Sequence, residues 1–276
     1  MSTSTPSPVT ASFFNTVTLP TWTLWSREVV RFLRQKNRVI GALASPIMFW
    51  FVIGAGMGKS FHAEGAPEGF TYLQYFFPGT LMLIMLFTAI FSTISIIEDR
   101  REGFLQGVLT SPISRSAIVL GKLCGGATLS LIQALIFLAM APLTGIPIPW
   151  ASLPGIIVLF FLIGFGLTAL GYLIAWPLDS TQGFHALMNL VLIPLWLLSG
   201  ALFPPTGAMT WVKWVIFLNP LHYGLAALRQ LLISPIAAPE VSDPPLWISV
   251  GVLILFAAVL LGVCSWLTNR VQGRNP

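Results

Sequence analysis

The chain of 276 residues is 55% hydrophobic and only 8% charged, with a net charge of +5 and a mean hydropathy of +0.84. A soluble domain carries roughly a quarter charged residues, so this chain cannot clothe a water-facing surface; a secreted disulfide scaffold, a nucleic-acid-binding domain and an ordinary cytosolic enzyme are excluded. About 20 apolar residues cross a hydrocarbon core of about 30 Å, so the length allows about six or seven spans, and the fold class is an all-α integral membrane protein.

Residues 1–20 are rich in Ser, Thr and Pro and uncharged. They lack the basic region and clean apolar core of a secretory signal and read as a disordered tail before one transmembrane domain, 21–276. Residues 22–38 predict an interfacial helix. Trp22, Trp25, Val29, Phe32 and Leu33 share one face, and Arg27, Arg31, Arg34 and Arg38 recur on the other. Lys36 falls under the apolar face near its end, where a long side chain snorkels. Such a helix is expected in the headgroup plane, indoles in the acyl boundary and guanidinium groups toward anionic lipid.

Six apolar spans are expected at about 39–57, 72–97, 116–141, 155–176, 184–203 and 246–268, with Pro46 and Pro194 inside the first and fifth. Residues 204–245 are apolar but broken by Pro204-Pro205, Asn219-Pro220, Pro235 and Pro244-Pro245. The uncharged run Trp214–Leu228 is too short to cross and predicts an outer re-entrant helical hairpin between spans five and six, shielded by protein or facing water. With both ends inside, the cytoplasmic side holds Arg27, Arg31, Arg34, Lys36, Arg38, Arg100, Arg101, Arg115, Lys122, Arg270 and Arg274, against Lys59, Lys213 and Arg229 outside. That bias places both termini in the cytoplasm; a bacterial-type inner membrane is the expected location.

Catalytic chemistry is not expected. Gly54-Ala-Gly-Met-Gly-Lys59-Ser60 looks like a phosphate-binding loop, but Ile53 stands where the pattern needs glycine, and the stretch closes a span on the outer side. Glycines permitting a turn account for it. No acidic or basic residue lies near the middle of a span, which argues against an intramembrane proton or sodium pathway. His185 and His222 read as packing histidines, and Cys124 and Cys264 sit inside apolar stretches with no zinc-ligand spacing. No catalytic residue, metal site or cofactor is assigned to this chain.

That absence gives weight to the cytoplasmic loop 98–115. Phe104 and Val108, like Leu105 and Leu109, are four apart and form an apolar stripe; Glu98 can meet Arg101, and Pro112 ends the helix. The stripe suits either docking into a partner's groove or lying on lipid headgroups.

Phe77-Pro78-Gly79 in the second span, Glu98-Asp99-Arg100-Arg101-Glu102-Gly103 leaving it, and Leu109-Thr110-Ser111-Pro112 before Gly121-Lys122 resemble type-2 ABC export permeases. Leu198-Ser199-Gly200-Ala201-Leu202-Phe203-Pro204 and Phe217-Leu218-Asn219-Pro220-Leu221-His222-Tyr223, followed by Leu228-Arg229, are similar to that family's second signature. The resemblance covers about residues 20–270 and leans toward the drug-resistance and nodulation-factor export branch.

By resemblance, 22–38 would be a connecting helix and 98–112 a coupling helix seated in a separate ATPase subunit. Glu98, Arg101, Glu102, Phe104 and Leu105 would make that contact, with Asp179 and Ser180 secondary. Two ATPases would carry ATP and Mg, and a second permease, identical to this one, would complete the pump. The substrate path would run between the second and fifth spans. There Phe76, Thr80, Leu83, Phe87 and Phe91 approximate one face, and Met188, Leu192, Leu195 and Ser199 the other. That lining suits a hydrophobic or amphiphilic cargo, drug-like or lipid-like, and equally suits plain helix packing. A lipid-linked saccharide is the alternative cargo, with Trp211, Trp214 and Tyr223 as its outer surface; a non-transporting assembly subunit is the alternative of another class.

Overall fold

In the computed structural model, residues 14–57, 69–148, 150–203, 205–233 and 243–270 are described. Eleven α-helices are seen among them: α1 (Leu19–Arg34), α2 (Lys36–Met57), α3 (Tyr72–Ser92), α4 (Ile94–Arg101), α5 (Phe104–Thr110), α6 (Arg115–Leu138), α7 (Leu153–Ala175), α8 (Thr181–Leu197), α9 (Thr210–Leu218), α10 (Pro220–Leu232) and α11 (Leu246–Arg270). The described residues contain no strand. Every backbone polar group in a bilayer must be satisfied locally, and a helix does so within its own segment.

Five stretches are long and apolar enough to cross a membrane: Val39–Met57, Tyr72–Arg101, Arg115–Leu138, Leu153–Ala175 and Leu246–Arg270. The expected fifth span, 184–203, is instead the 17-residue α8, about 26 Å long at 1.5 Å per residue. It starts on Ser180, whose hydroxyl accepts from the Gly183 N–H at 3.3 Å, and ends before Gly200, whose φ of +88° is a left-handed turn that stops the helix.

α3 is the centre of the bundle and is buried almost throughout, from Tyr72 to Ser92. A capping box opens it: Thr71 Oγ1 accepts from the Gln74 N–H, and Gln74 Oε1 accepts from the Thr71 N–H. α6 and α7 pack on α3 and on each other, α2 packs on α3, and α11 packs on α7 and α10. Buried polar side chains tie the bundle: Thr88 donates to Gln133 at 2.6 Å between α3 and α6, and Tyr172 meets Thr268 at 2.8 Å between α7 and α11. α2 and α11 show broad apolar faces outward, as lipid-facing helices do.

The broken stretch forms α9 and α10, joined at Asn219-Pro220. Asn219 caps α10, accepting from the Leu221 N–H at 3.0 Å, and donates to Leu198 O at 2.9 Å at the end of α8. His222, fully buried, pairs Nδ1 with Ser199 O at 3.1 Å. Arg229 donates to Tyr75 Oη at 3.0 Å and to Gly200 O at 2.7 Å. The helix pair is thus stitched to the end of α8 and the start of α3 through Ser199, Gly200, Asn219, His222 and Arg229 of the second signature.

Candidate coupling site

The turn between α4 and α6 meets α1 in a cluster of charges. α1 reaches it by close approach to α6, where Gly121 and Gly125 stand four apart. A Cβ at Gly121 would lie 2.6 Å from the Leu24 Cβ, and one at Gly125 would lie 2.7 Å from the Glu28 Cβ. Small residues at this spacing let helix backbones nest. Trp25 Nε1 adds a bond of 3.0 Å to Thr128 Oγ1.

The side of α1 that packs inward is Leu24, Glu28 and Phe32. The expectation that its arginines face lipid headgroups is corrected for Arg27 and Arg31. Three acidic groups at the end of α4 and just beyond draw both guanidinium groups toward the protein. Arg27 holds Asp99 bidentately at 3.0 and 2.7 Å; Arg31 takes Asp99 at 2.6 Å, Glu98 at 2.9 Å and Glu102 at 3.3 Å. Trp22 and Leu33 are exposed instead.

Beneath these pairs lies Lys122 of α6, 5% exposed. Its ammonium donates to Glu28, Asp99 and Ser95, and Ser95 donates to the other oxygen of Glu28 at 2.6 Å. Glu28 is 5% exposed and Asp99 fully buried. Charges so placed survive only when paired and hydrogen-bonded. Burial acts against the charge of Arg27, but the hydrogen bond to Asp99 and the charges of Asp99, Glu28 and Glu102 outweigh it, pushing its pKa above the ordinary guanidinium range.

Each expected contact residue has a defined place. The predicted single helix 98–112 is two helices, because Gly103 takes a φ of +78° between α4 and α5. The apolar stripe turns inward. Leu105 is buried and Phe104 lies under Arg27, its ring centroid 3.7 Å from the guanidinium carbon. The open surface is polar: Arg101, Glu102, Gln106, Gly107 and Thr110. Arg101 Nε donates to Asp179 O at 2.9 Å, and Arg100 pairs with the exposed Asp179 carboxylate at 3.0 Å, so the two loop candidates, 98–112 and Asp179, are brought together.

Glu28, Ser95 and Lys122 were not singled out from sequence for this cluster. The available signal was Glu28 itself, the one acid among the arginines of 22–38.

The substrate-path candidates divide. Phe76, Thr80, Leu83, Met188, Leu192 and Ser199 are buried within the chain, and Phe87, Phe91 and Leu195 are half-buried. Phe76 sits among Tyr72, Phe49 and Trp196, and Trp196 Nε1 donates to Gly79 O at 2.9 Å. The phosphate-loop lookalike falls partly outside the described residues, since Lys59 and Ser60 are not among them; Gly54 is packed against Leu73. Among the described residues no cluster of His, Cys, Asp and Glu could hold a metal ion.

Comparison with known proteins supplies the context. Residues 20–233 match the family described as ABC-2 type transporter. The chain is 28% identical over 210 residues to a putative transport permease, ycf38, of Cyanophora paradoxa, covering 75% of this chain and 72% of that one. It is 24% identical over 234 residues to nodulation protein J of Rhizobium meliloti, covering 84% and 86%. It is 22% identical over 257 residues to the inner membrane transport permease YadH of Escherichia coli, covering 91% and 94%.

Proposed function

The chain belongs to the ABC-2 type transporter family, a family of membrane permease subunits partnered by an ABC ATPase, and on that footing we propose that it is the permease of an exporter for hydrophobic or amphiphilic cargo. The ATPase is a separate subunit seated against the 98–112 turn. Two copies of this chain and two ATPases make the pump. α8 with its following turn is the sixth crossing, both termini are cytoplasmic, and α9–α10 is the outer re-entrant pair. This chain holds no nucleotide; ATP and Mg belong to the partner.

The observation that supports this reading most directly is the clamp on the turn. Arg27 holds both Phe104 of α5 and Asp99 of α4, while Lys122 ties Asp99 to Glu28. A push on the turn therefore moves α1, α4 and the start of α6 together. Closure of the ATPases on ATP would rock these helices as a unit, biasing two states of the dimer. Arg101, Glu102 and Asp179, joined by Gln106 and Thr110, face the ATPase; Glu98, Phe104 and Leu105 hold the turn from behind.

Co-expression with an ABC ATPase tests this. The expected result is a detergent-stable complex that hydrolyses ATP and, in proteoliposomes, drives efflux that stops without ATP. The double charge reversal Arg101→Glu with Glu102→Arg is expected to abolish the association. Vectorial pumping by this chain in vesicles without any ATPase would overturn the reading.

A further inference from the structure

α8 differs from the other apolar helices in what its open side carries. Its packed side is one stripe, Phe184, Met188, Leu192 and Trp196, and it touches α3 and α4. On the exposed side Gln182, His185 and Asn189 follow at spacings of three and four, which is one line along a helix. Asn189 is the ninth of the 17 residues of α8, at its middle rather than its mouth. The line continues apolar in Ile193, 41% exposed, with Leu190, 72% exposed, alongside.

The contrast with α2 and α11 is informative. From Trp247 to Trp266 every exposed residue of α11 is apolar, and from Ile40 to Met57 the exposed residues of α2 include no polar group beyond Ser45. Those faces suit hydrocarbon. An amide or an imidazole presented to acyl chains leaves donors and acceptors unpaired, which is costly, so polar residues of spanning helices face the bundle interior or a hydrated cavity.

We infer that the Gln182–His185–Asn189 line is the headgroup subsite of the export path, taking amphiphiles whose polar end accepts hydrogen bonds, of phosphate or carboxylate type, with the apolar chain laid along Leu190 and Ile193. The inference rests on the exporter reading above and moves the path on α8 from the buried stripe to the exposed line beside it. Two side-chain amides and an imidazole supply N–H donors in one line. α8 carries neither acid nor Lys or Arg, so the line reads a head by hydrogen bonds, which a phosphate or carboxylate accepts and a quaternary ammonium cannot. The rings able to receive a quaternary ammonium are Phe87 and Phe91, paired at 5.4 Å, with Phe91 5.5 Å from the His185 ring; they are the competing subsite.

The test is thiol accessibility in native membranes, using the full chain with Cys124→Ala and Cys264→Ala. Asn189→Cys is labelled with a charged, water-soluble maleimide, with Val259→Cys on the open face of α11 as the lipid-facing control. Dodecyl phosphate and dodecyltrimethylammonium, sharing one tail, are the probes. Position 189 is expected to react at least about ten-fold faster than 259, and to be slowed several-fold by dodecyl phosphate and not by the ammonium. Equal rates at 189 and 259, or protection by the ammonium equal to or greater than that by the phosphate, would overturn the subsite. His185→Cys repeats the measurement should Asn189→Cys fail to insert. Labelling needs no ATPase: the expected pattern without ATP-driven efflux would defeat the exporter reading alone, and efflux without the pattern would defeat the subsite alone.

Discussion

Arg27 covers Phe104: the guanidinium carbon stands 3.7 Å from the ring centroid while two of its nitrogens hold Asp99. One side chain of α1 therefore pins both sides of the Gly103 turn. A cation–aromatic contact that is still partly exposed to solvent is worth about 1 kcal/mol. Phe104→Ala is expected to leave the bundle folded, with a small fall in thermal midpoint, and to lower cargo moved per ATP hydrolysed by the complex. Phe104→Tyr, which keeps the ring, should restore the ratio. An unchanged ratio in Phe104→Ala would remove the clamp from the coupling mechanism.

Lys122→Met leaves Glu28 and Asp99 buried without their shared ammonium. Breaking one partner of a buried pair typically costs about 3–5 kcal/mol. Thermal unfolding in detergent should show that loss. Adding Glu28→Gln should recover part of it by removing one stranded carboxylate, and the double-mutant cycle should give a coupling energy well away from zero.

Gly125→Val inserts a branched side chain where a Cβ already lies 2.7 Å from that of Glu28. Overpacking of this kind costs about 1–3 kcal/mol, and here it also pushes α1 off α6. The thermal midpoint in detergent should fall accordingly, while Gly262→Val, on α11 where a Cβ meets nothing within 4 Å, should not lower it.

Asp243 precedes α11, outside the spans, beside Arg229 at 3.4 Å. Burial raises its pKa above the usual carboxylate range and outweighs the opposing charge and hydrogen bond of Arg229. A carboxyl whose folded pKa is raised contributes stability that is fully present below the unfolded pKa, about 3.9, and lost as pH rises through the folded value. Asp243→Asn cannot ionise. The thermal midpoint of Asp243→Asn relative to the parent chain should therefore climb as pH is raised from about 4 to 7; a gap independent of pH would contradict the assignment.

Much of the architecture is legible in the chain because hydropathy is a local property. All five long apolar stretches begin within about two residues of expected ones, and Asn219-Pro220, read as a break, is the junction of α9 and α10. Helix α8 stops at Leu197, short of residue 203, because Gly200 takes a left-handed φ that hydropathy does not register.

What composition and pattern determined by themselves is that the chain lives in a bilayer, that one charged turn interrupts its helices, and that it carries the marks of a permease. The tertiary structure decided which way the faces turn. Amphipathic periodicity places Arg27 and Arg31 together on one side of α1 without saying what lies opposite. Glu28 and Lys122 are 94 positions apart, and their pairing exists because Gly121 and Gly125 let α1 approach α6 closely enough to bury both charges. The same holds for α5 and α8: a stripe of apolar residues names a packed side only once the neighbouring helices have taken their places, because burial is a contest among all the faces available.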